Sequence, residues 1–453
     1  METGVVYTWT FSVIAMISAG EDEHESFVQS DAYNEFENAI TTIGQPSKDI
    51  NFVIYLYNLA DKKCCIKQTR LIGGRYCLEV VESYSLPDFY GNNYQHLVSF
   101  VHTYSAIKRP LLSNEEHTHF LITWGHACGV GFFSNGVNAR HAEAVAQANT
   151  ETLKCITAAS FKDIIEKGFK EDASFIKKGS KIDYLLCVSC FTQMIETGYI
   201  LSKVINVMVA PVTTISFYGY NYKSLFKIIT EKPSVDALLI ANDLVDNYLA
   251  KYAEPAIAKY IKNGRVHGIE YRKQVAFSAI NLKQYGAVKE GIKLFVDFVT
   301  KGGSTINLLD QFTVPLKQAV KHARGRCLET TFPQVIGTGI IDFNNFIMQF
   351  FKLYSSEFIT GSAVKNLFNM VYGSYYNGLI IAQYYPGHYC YFDDITERHL
   401  MSQSAGSFGI FLPRSSPSLT KKEQQIFNTL SGECQDFWAE TGWLKLIEFM
   451  GVC

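Results

Sequence analysis

Hydrophobic positions along the first half of the chain switch repeatedly between two periods. Tyr7–Ala15 is rich in β-branched and aromatic residues and reads as a strand; Ser26–Ile43 then carries Val28, Ala32, Phe36, Ala39 and Ile43 at helical spacing. Asn51–Tyr57 is strand-like again, and Gly73-Gly74 separates two short strand patterns, Cys64–Leu71 and Tyr76–Val81, that predict a hairpin. Tyr94–Tyr104 reads helical before an apolar run, Phe120–Trp124, that closes on His126. Asn135–Thr152 mixes loop and helix patterns, and Lys162–Lys181, with five lysines from Lys167 onward, predicts an exposed loop. A second apolar run, Tyr184–Val188, closes on Cys190; a helix through Met194–Lys203 and a strand over Val204–Ala210 follow. Such alternation predicts an α/β architecture with a mainly parallel sheet covered on both faces.

From about Tyr222 the pattern turns to long helical stretches, Ser234–Tyr252, Asn281–Thr300, Asn344–Tyr354 and Lys421–Thr429. Short strands at Gln274–Ser278, Gly378–Gln383 and Phe408–Leu412 interrupt them. The chain is therefore expected to divide into residues 1–225, an α/β core, and 226–453, an α+β subdomain packed on it through a short linker.

Composition narrows the partners. Forty-one basic and forty-three acidic residues give a formal charge of −2, so no global field recruits nucleic acid or anionic membrane. No run reaches the roughly 18 apolar residues of a membrane helix. The uncharged opening from Gly4 to Gly20 has no basic residue ahead of it and reads as a buried strand rather than a secretory core. Eleven cysteines without framework spacing then point to reduced thiols and a cytoplasmic location. Most of them are expected to be small core residues.

Candidate chemistry gathers at the two apolar runs. In open α/β sheets ligands bind beyond the carboxyl ends of the strands, where His126 and Cys190 both fall. A thiol beside an imidazole is a nucleophile with a proton acceptor at hand, and a strand-to-helix junction at Cys190 would add helix N-terminal amides that favour the thiolate. Other readings stay open on spacing alone: Cys187-Val-Ser-Cys190 as a redox dithiol, Cys64-Cys65 as half of a zinc site, and His117-Thr-His119 as a metal pair. Gly125, Gly129 and Gly131 lack the spacing of a nucleotide fingerprint but permit close backbone approach beside His126.

The order of segments resembles the clostripain family of cysteine peptidases, relatives of caspases, gingipains and legumains, across nearly the whole chain. Trp9-Thr-Phe-Ser-Val-Ile-Ala-Met16 is similar to the family's first strand. Phe120-Leu-Ile-Thr-Trp-Gly-His126-Ala-Cys-Gly129 is similar to its strand ending in Trp-Asp-His-Gly-x-Gly, and Cys190-Phe-Thr-Gln-Met-Ile-Glu196 to its Asp-Ala-Cys-Leu-Met-x-x-x-Glu. Ser407–Pro413 and Glu440-Thr-Gly-Trp443 resemble its late strand and Gly-Trp helix. The resemblance implies a caspase-like three-layer sandwich, with Cys190 as nucleophile, His126 as general acid/base, and the backbone N–H groups of Ala127 and Cys190 holding the oxyanion. It implies a protein or peptide substrate and leaves room for an activating protein partner. The chemistry needs no cofactor, although the family allows a calcium ion.

The departures from the family pattern bear on specificity. Val188 stands where the family has an aspartate two residues before its cysteine, and Thr213–Tyr220 lacks a second acid expected there. The acids attract a basic P1 side chain, so a pocket of Val188, Phe217 and Tyr218 is expected to prefer an apolar or aromatic one. Gly125 replaces aspartate and Ala127 replaces glycine beside the histidine. A catalytically silent homologue that binds peptides or a partner is the alternative these changes raise. For Lys162–Lys181 a solvated loop is favoured over a site of self-cleavage.

Overall fold

Phe11 on the first strand stacks on both neighbouring strands, with Phe52 at 4.7 Å and Phe120 at 4.5 Å between ring centroids, and Phe120 stacks in turn on Tyr184 at 4.5 Å. Each pair also lies directly opposite in the strand register. In-register aromatic pairs contribute about 0.5–1.5 kcal/mol each beyond burial, enough to fix how four adjacent strands align along their length.

This computed structural model describes residues 6–17, 23–43, 49–59, 61–91, 94–104, 115–127, 129–134, 154–169, 181–212, 215–232, 235–253 and 276–300. Later in the chain it describes 379–384, 389–393, 398–402 and 408–413, and, with single positions omitted, 318–323, 339–350 and 419–449. The strands are β1 (Val6–Ile17), β2 (Asp49–Asn58), β3 (Lys63–Ile72), β4 (Arg75–Ser85), β5 (Glu115–Trp124), β6 (Gly131–Phe132), β7 (Ile156–Thr157), β8 (Ile182–Val188) and β9 (Ile205–Pro211). Beyond these lie β10 (Phe277–Asn281), β11 (Ile340–Asp342), β12 (Ile380–Tyr384), β13 (Tyr389–Asp393), β14 (Arg398–Ser402) and β15 (Gly409–Phe411).

Nine of them form one sheet in the order β12-β10-β9-β8-β5-β1-β2-β3-β4. The five central strands, β9 to β2, are mutually parallel, while β3 and β4 form the expected antiparallel hairpin at one edge. At the other edge two strands from beyond residue 225 continue the same sheet, β10 antiparallel to β9 and β12 antiparallel to β10. The sequence pattern placed the first of these at Gln274–Ser278; the hydrogen-bonded strand lies three residues later.

Alternate residues of each central strand enter opposite cores. Trp9, Phe11, Val13, Phe120, Ile122, Trp124, Tyr184, Leu186 and Val188 face helices α1 (Glu23–Thr41), α5 (Tyr222–Glu231) and α6 (Ala237–Asp246). Ile14, Leu121, Leu185 and Cys187 face α2 (Gln95–Tyr104), α3 (Ala158–Gly168), α4 (Ile195–Leu201) and α8 (Tyr285–Thr300). Between α6 and α8 lies the short helix α7 (Tyr248–Ala253), and α9 (Lys421–Glu433), α10 (Gln435–Thr441) and α11 (Trp443–Phe449) close the chain. Helix, sheet and helix layers are those of a caspase-like three-layer sandwich.

The lysine-rich segment differs from expectation at its start. Lys162 to Gly168 belongs to α3, whose Phe161, Ile164 and Ile165 are buried while Lys162–Glu166 and Lys167–Asp163 pair along the outer face. Lysines four apart from acids suit a solvated helix face as well as a loop, which is why charge density alone misread it. Residues 170–180 lie outside the described residues, as do 135–153.

Candidate active site

Strands β5 and β8 end level with one another. Trp124 lies opposite Val188, and the Gly125 N–H donates to the Val188 carbonyl at 3.2 Å, so the chain leaves both strands from one hydrogen-bonded step. His126 and Cys190 each follow that step by two residues. Gly125 has φ +153°, and a Cβ there would come 3.2 Å from the Met16 carbonyl oxygen. A side chain would crowd β1, which accounts physically for glycine where the family pattern has aspartate.

His126 is partly exposed, its ring edge-to-face with Phe217 at 5.3 Å between centroids, and its carbonyl accepts from the Ser134 N–H at 2.9 Å. Ala127 forms an isolated antiparallel bridge with Phe132, tying down the turn after the histidine. Gly129 has φ +84°, and a Cβ there would meet Ile340 Cδ1 at 2.4 Å and Met194 Sδ at 2.8 Å, so the histidine loop sits hard against the segment after Cys190.

Cys190 is partly exposed as a residue, and its thiol donates a long hydrogen bond, 3.8 Å, to the Ile215 carbonyl. Phe191, next in the chain, is buried with φ +58°, a left-handed conformation uncommon for a bulky residue and of a kind found at functional turns. The helix amides expected to stabilise a thiolate are not there: α4 begins at Ile195, five residues beyond Cys190. Desolvation instead pushes the Cys190 thiol up to about 11, opposed only in part by backbone hydrogen bonding at Ile215 and Cys190.

Cys187 is fully buried on the opposite core face, and burial raises its thiol to about 12. Strand alternation thus separates it from the site, which leaves the redox dithiol without a geometry. His117 and His119 are hydrogen-bonded to the hydroxyls of Thr10 and Ser12 on β1, at 3.0 and 2.9 Å. Burial holds His119 well below the usual imidazole range. Among the described residues no three His, Cys, Asp or Glu side chains gather to hold a metal ion. The calcium ion allowed by the resemblance therefore has no such carboxylate cluster there, and no step below passes through one.

Of the three expected pocket residues, only Phe217 lines a cleft. It is a shallow depression whose roughly 200 Å³ of free space is continuous with solvent, lying between the end of β1 (Ala15, Met16, Ile17), Gln29 and Tyr33 of α1, Trp124 and Phe217. Val188 is 1% exposed and packs under Gly219, whose Cβ position lies 3.0 Å from Val188 Cγ2. Tyr218 is 2% exposed, with its hydroxyl donating to Asp31 at 2.7 Å. Val188 points inward because even-numbered residues of β8 face the α1 core. The contribution of α1 was missed; Gln29 and Tyr33 sit in an acidic, outwardly ordinary helix, and no local signal marks them.

The family model of the clostripain family matches residues 18–448. The chain belongs to the clostripain family. Membership makes it a cysteine peptidase. Solved structures of the same fold include a secreted C11 cysteine protease from Bacteroides thetaiotaomicron, in complex with an irreversible peptide inhibitor. It is 12% identical with a TM-score of 0.58, over 96% of this chain and 99% of that one. An inactive zymogen C11 protease from Parabacteroides distasonis is 11% identical with a TM-score of 0.57, over 95% and 97%. A further secreted C11 protease from B. thetaiotaomicron, iotapain, is 11% identical with a TM-score of 0.52, over 96% and 100%. No curated protein matches the chain by sequence. The cytoplasmic location expected from the cysteines is corrected by these likenesses. The two B. thetaiotaomicron proteases of this fold are described as secreted, which points away from a cytoplasmic location.

Proposed function

We propose that this clostripain-family peptidase cleaves peptide bonds through a Cys190–His126 dyad and prefers an uncharged P1 side chain. The observation that carries the dyad is the level ending of β5 and β8, joined by the Gly125–Val188 hydrogen bond, with the two residues at equal distance beyond it. A thiol near 11 keeps its proton at neutral pH. His126 therefore takes the proton from Sγ as Sγ bonds to the scissile carbonyl carbon, and the backbone N–H groups of Ala127 and Cys190 hold the resulting oxyanion. His126 then gives that proton to the leaving amine as the C–N bond breaks. A water deprotonated by His126 attacks the thioester, releasing the acid and restoring the thiol.

Support for an uncharged P1 residue comes from the cleft. Met16, Trp124, Phe217, Tyr33 and Gln29 line it, and no Asp or Glu is among its lining residues. The test is thiol-directed peptidyl probes bearing Arg, Lys, Leu or Phe at P1, applied to the wild type, Cys190→Ala and His126→Ala. Labelling of Cys190 that needs His126 and favours Phe or Leu is expected. Equal labelling without His126 sinks the dyad, and preference for Arg sinks the pocket assignment.

A further inference from the structure

The loop 215–220 touches both members of the proposed dyad. The Ile215 carbonyl accepts from Cys190 Sγ, and the Phe217 ring stands edge-on to His126. Its path turns tightly at Gly219, φ +58°, with the Gly219 N–H donating to the Ser216 carbonyl at 2.9 Å. The two carbonyls that bracket that turn, Tyr218 O and Tyr220 O, meet one ammonium group. Lys251 of α7 donates to Tyr218 O at 2.5 Å and to Tyr220 O at 2.7 Å. Its third partner is Glu35 Oε2 of α1, at 3.2 Å, and the Tyr222 ring lies 5.0 Å away. The Lys251 side chain is 2% exposed.

Two of the ammonium N–H donors go to these carbonyls, and Glu35 supplies the opposite charge as an ion pair. A charge this deeply buried is tolerated only when it is paired and its donors are satisfied, so its geometry is narrowly set. The same face of α1 supplies Asp31, one turn before Glu35, which accepts from the Tyr218 hydroxyl. The loop is thus held by α1 and α7 at Tyr218 and Tyr220, while Ile215 and Phe217 touch Cys190 and His126.

We propose that Lys251, with Glu35, is a positioning pair for catalysis: it locks the 215–220 turn and thereby sets the placement of Phe217 against His126 and of Ile215 against Cys190. The inference rests on the dyad reading above. None of these side chains touches substrate. Their effect passes through a loop whose displacement by about 1 Å can cost a reaction on the order of a hundredfold.

The test uses the full chain with Lys251→Met and Glu35→Gln. A peptidyl acyloxymethyl ketone with Phe at P1 serves as the probe, and the maximal inactivation rate and the half-saturating concentration are measured separately. Near-ultraviolet circular dichroism reports the folded fraction. The expected result is a folded Lys251→Met variant inactivated at least about tenfold more slowly at saturation, with half-saturation changed less, and Glu35→Gln intermediate. A purely structural role would scale labelling with folded fraction and leave the rate per folded molecule intact, which overturns the proposal. Should Lys251→Met not fold, Glu35→Gln and Asp31→Asn decide, and an unchanged rate in both overturns it. Wild-type labelling that survives His126→Ala overturns the dyad and this inference together. Dependence on His126 with unchanged rates in the folded variants overturns this inference alone.

Discussion

Glu196 is a carboxyl with no solvent exposure in the first turn of α4, and its Oε1 accepts from the Phe411 N–H at 3.1 Å, tying the segment after Cys190 to β15. Burial pushes it from an ordinary 4.5 up to about 7, opposed only in part by the Phe411 amide and the Trp438 indole. The unfolded chain loses this proton near 4.5 and the folded chain near 7. Between those values the folded state holds a proton that the unfolded state has released, so stability is full below 4.5, falls as pH rises to 7 and is level above. At about 1.4 kcal/mol for each tenfold change in proton affinity, the loss is about 3 kcal/mol. Glu196→Gln keeps a carbonyl oxygen for Phe411 and removes the titration. Its stability relative to wild type should therefore rise between pH 4.5 and 7 by up to about 3 kcal/mol. Urea unfolding of both proteins at pH 4.5, 6, 7 and 8 measures the difference, in which every other titrating group cancels. A difference that stays flat across that range would refute the reasoning, because it would mean that Glu196 is ionised in the fold throughout.

Two further outcomes are expected. Alkylation of Cys190 by iodoacetamide should quicken about tenfold per pH unit toward a midpoint near 11 rather than levelling off near 8.5, as mass mapping of the modified peptide against pH would record. A plateau below pH 8 would instead reveal a pre-formed thiolate–imidazolium pair. Gly125→Ala should destabilise the protein by about 1–2 kcal/mol in denaturant unfolding and slow probe labelling, since φ +153° and a Met16 oxygen 3.2 Å away leave a methyl no room. A variant as stable and reactive as wild type would show that the β1–β5 spacing at the strand ends is slack.

The strands and helices of the first half were legible because central parallel strands are apolar on both faces and the helices between them keep a 3.6-residue period. The hairpin at Gly73-Gly74 was legible from its turn residues, and His126 and Cys190 from their positions after two such strands. The helical start of the lysine-rich segment, Lys162 to Gly168, was not, because solvated helices and loops carry similar charge. The second half was read as an α+β subdomain packed on the core; that β10 and β12 extend the central sheet was not read, because pairing between strands more than 60 residues apart in the chain leaves no local trace.

At the site, sequence alone determined which histidine and which cysteine follow apolar strands, since that follows from hydrophobic run lengths; that the two strands are neighbours is a fact of the sheet. Only tertiary structure decided what surrounds them. Alternation along β8 turned Val188 and Cys187 into opposite cores and left Cys190 beyond the strand. A late start to α4 removed the helix amides expected to favour a thiolate, and burial raised the thiol instead. Lys251, Glu35 and Gln29 reach the site from α7 and α1, brought there by packing of helices onto one sheet face. Their roles depend on distances between segments up to about 200 residues apart, which no spacing along the chain encodes.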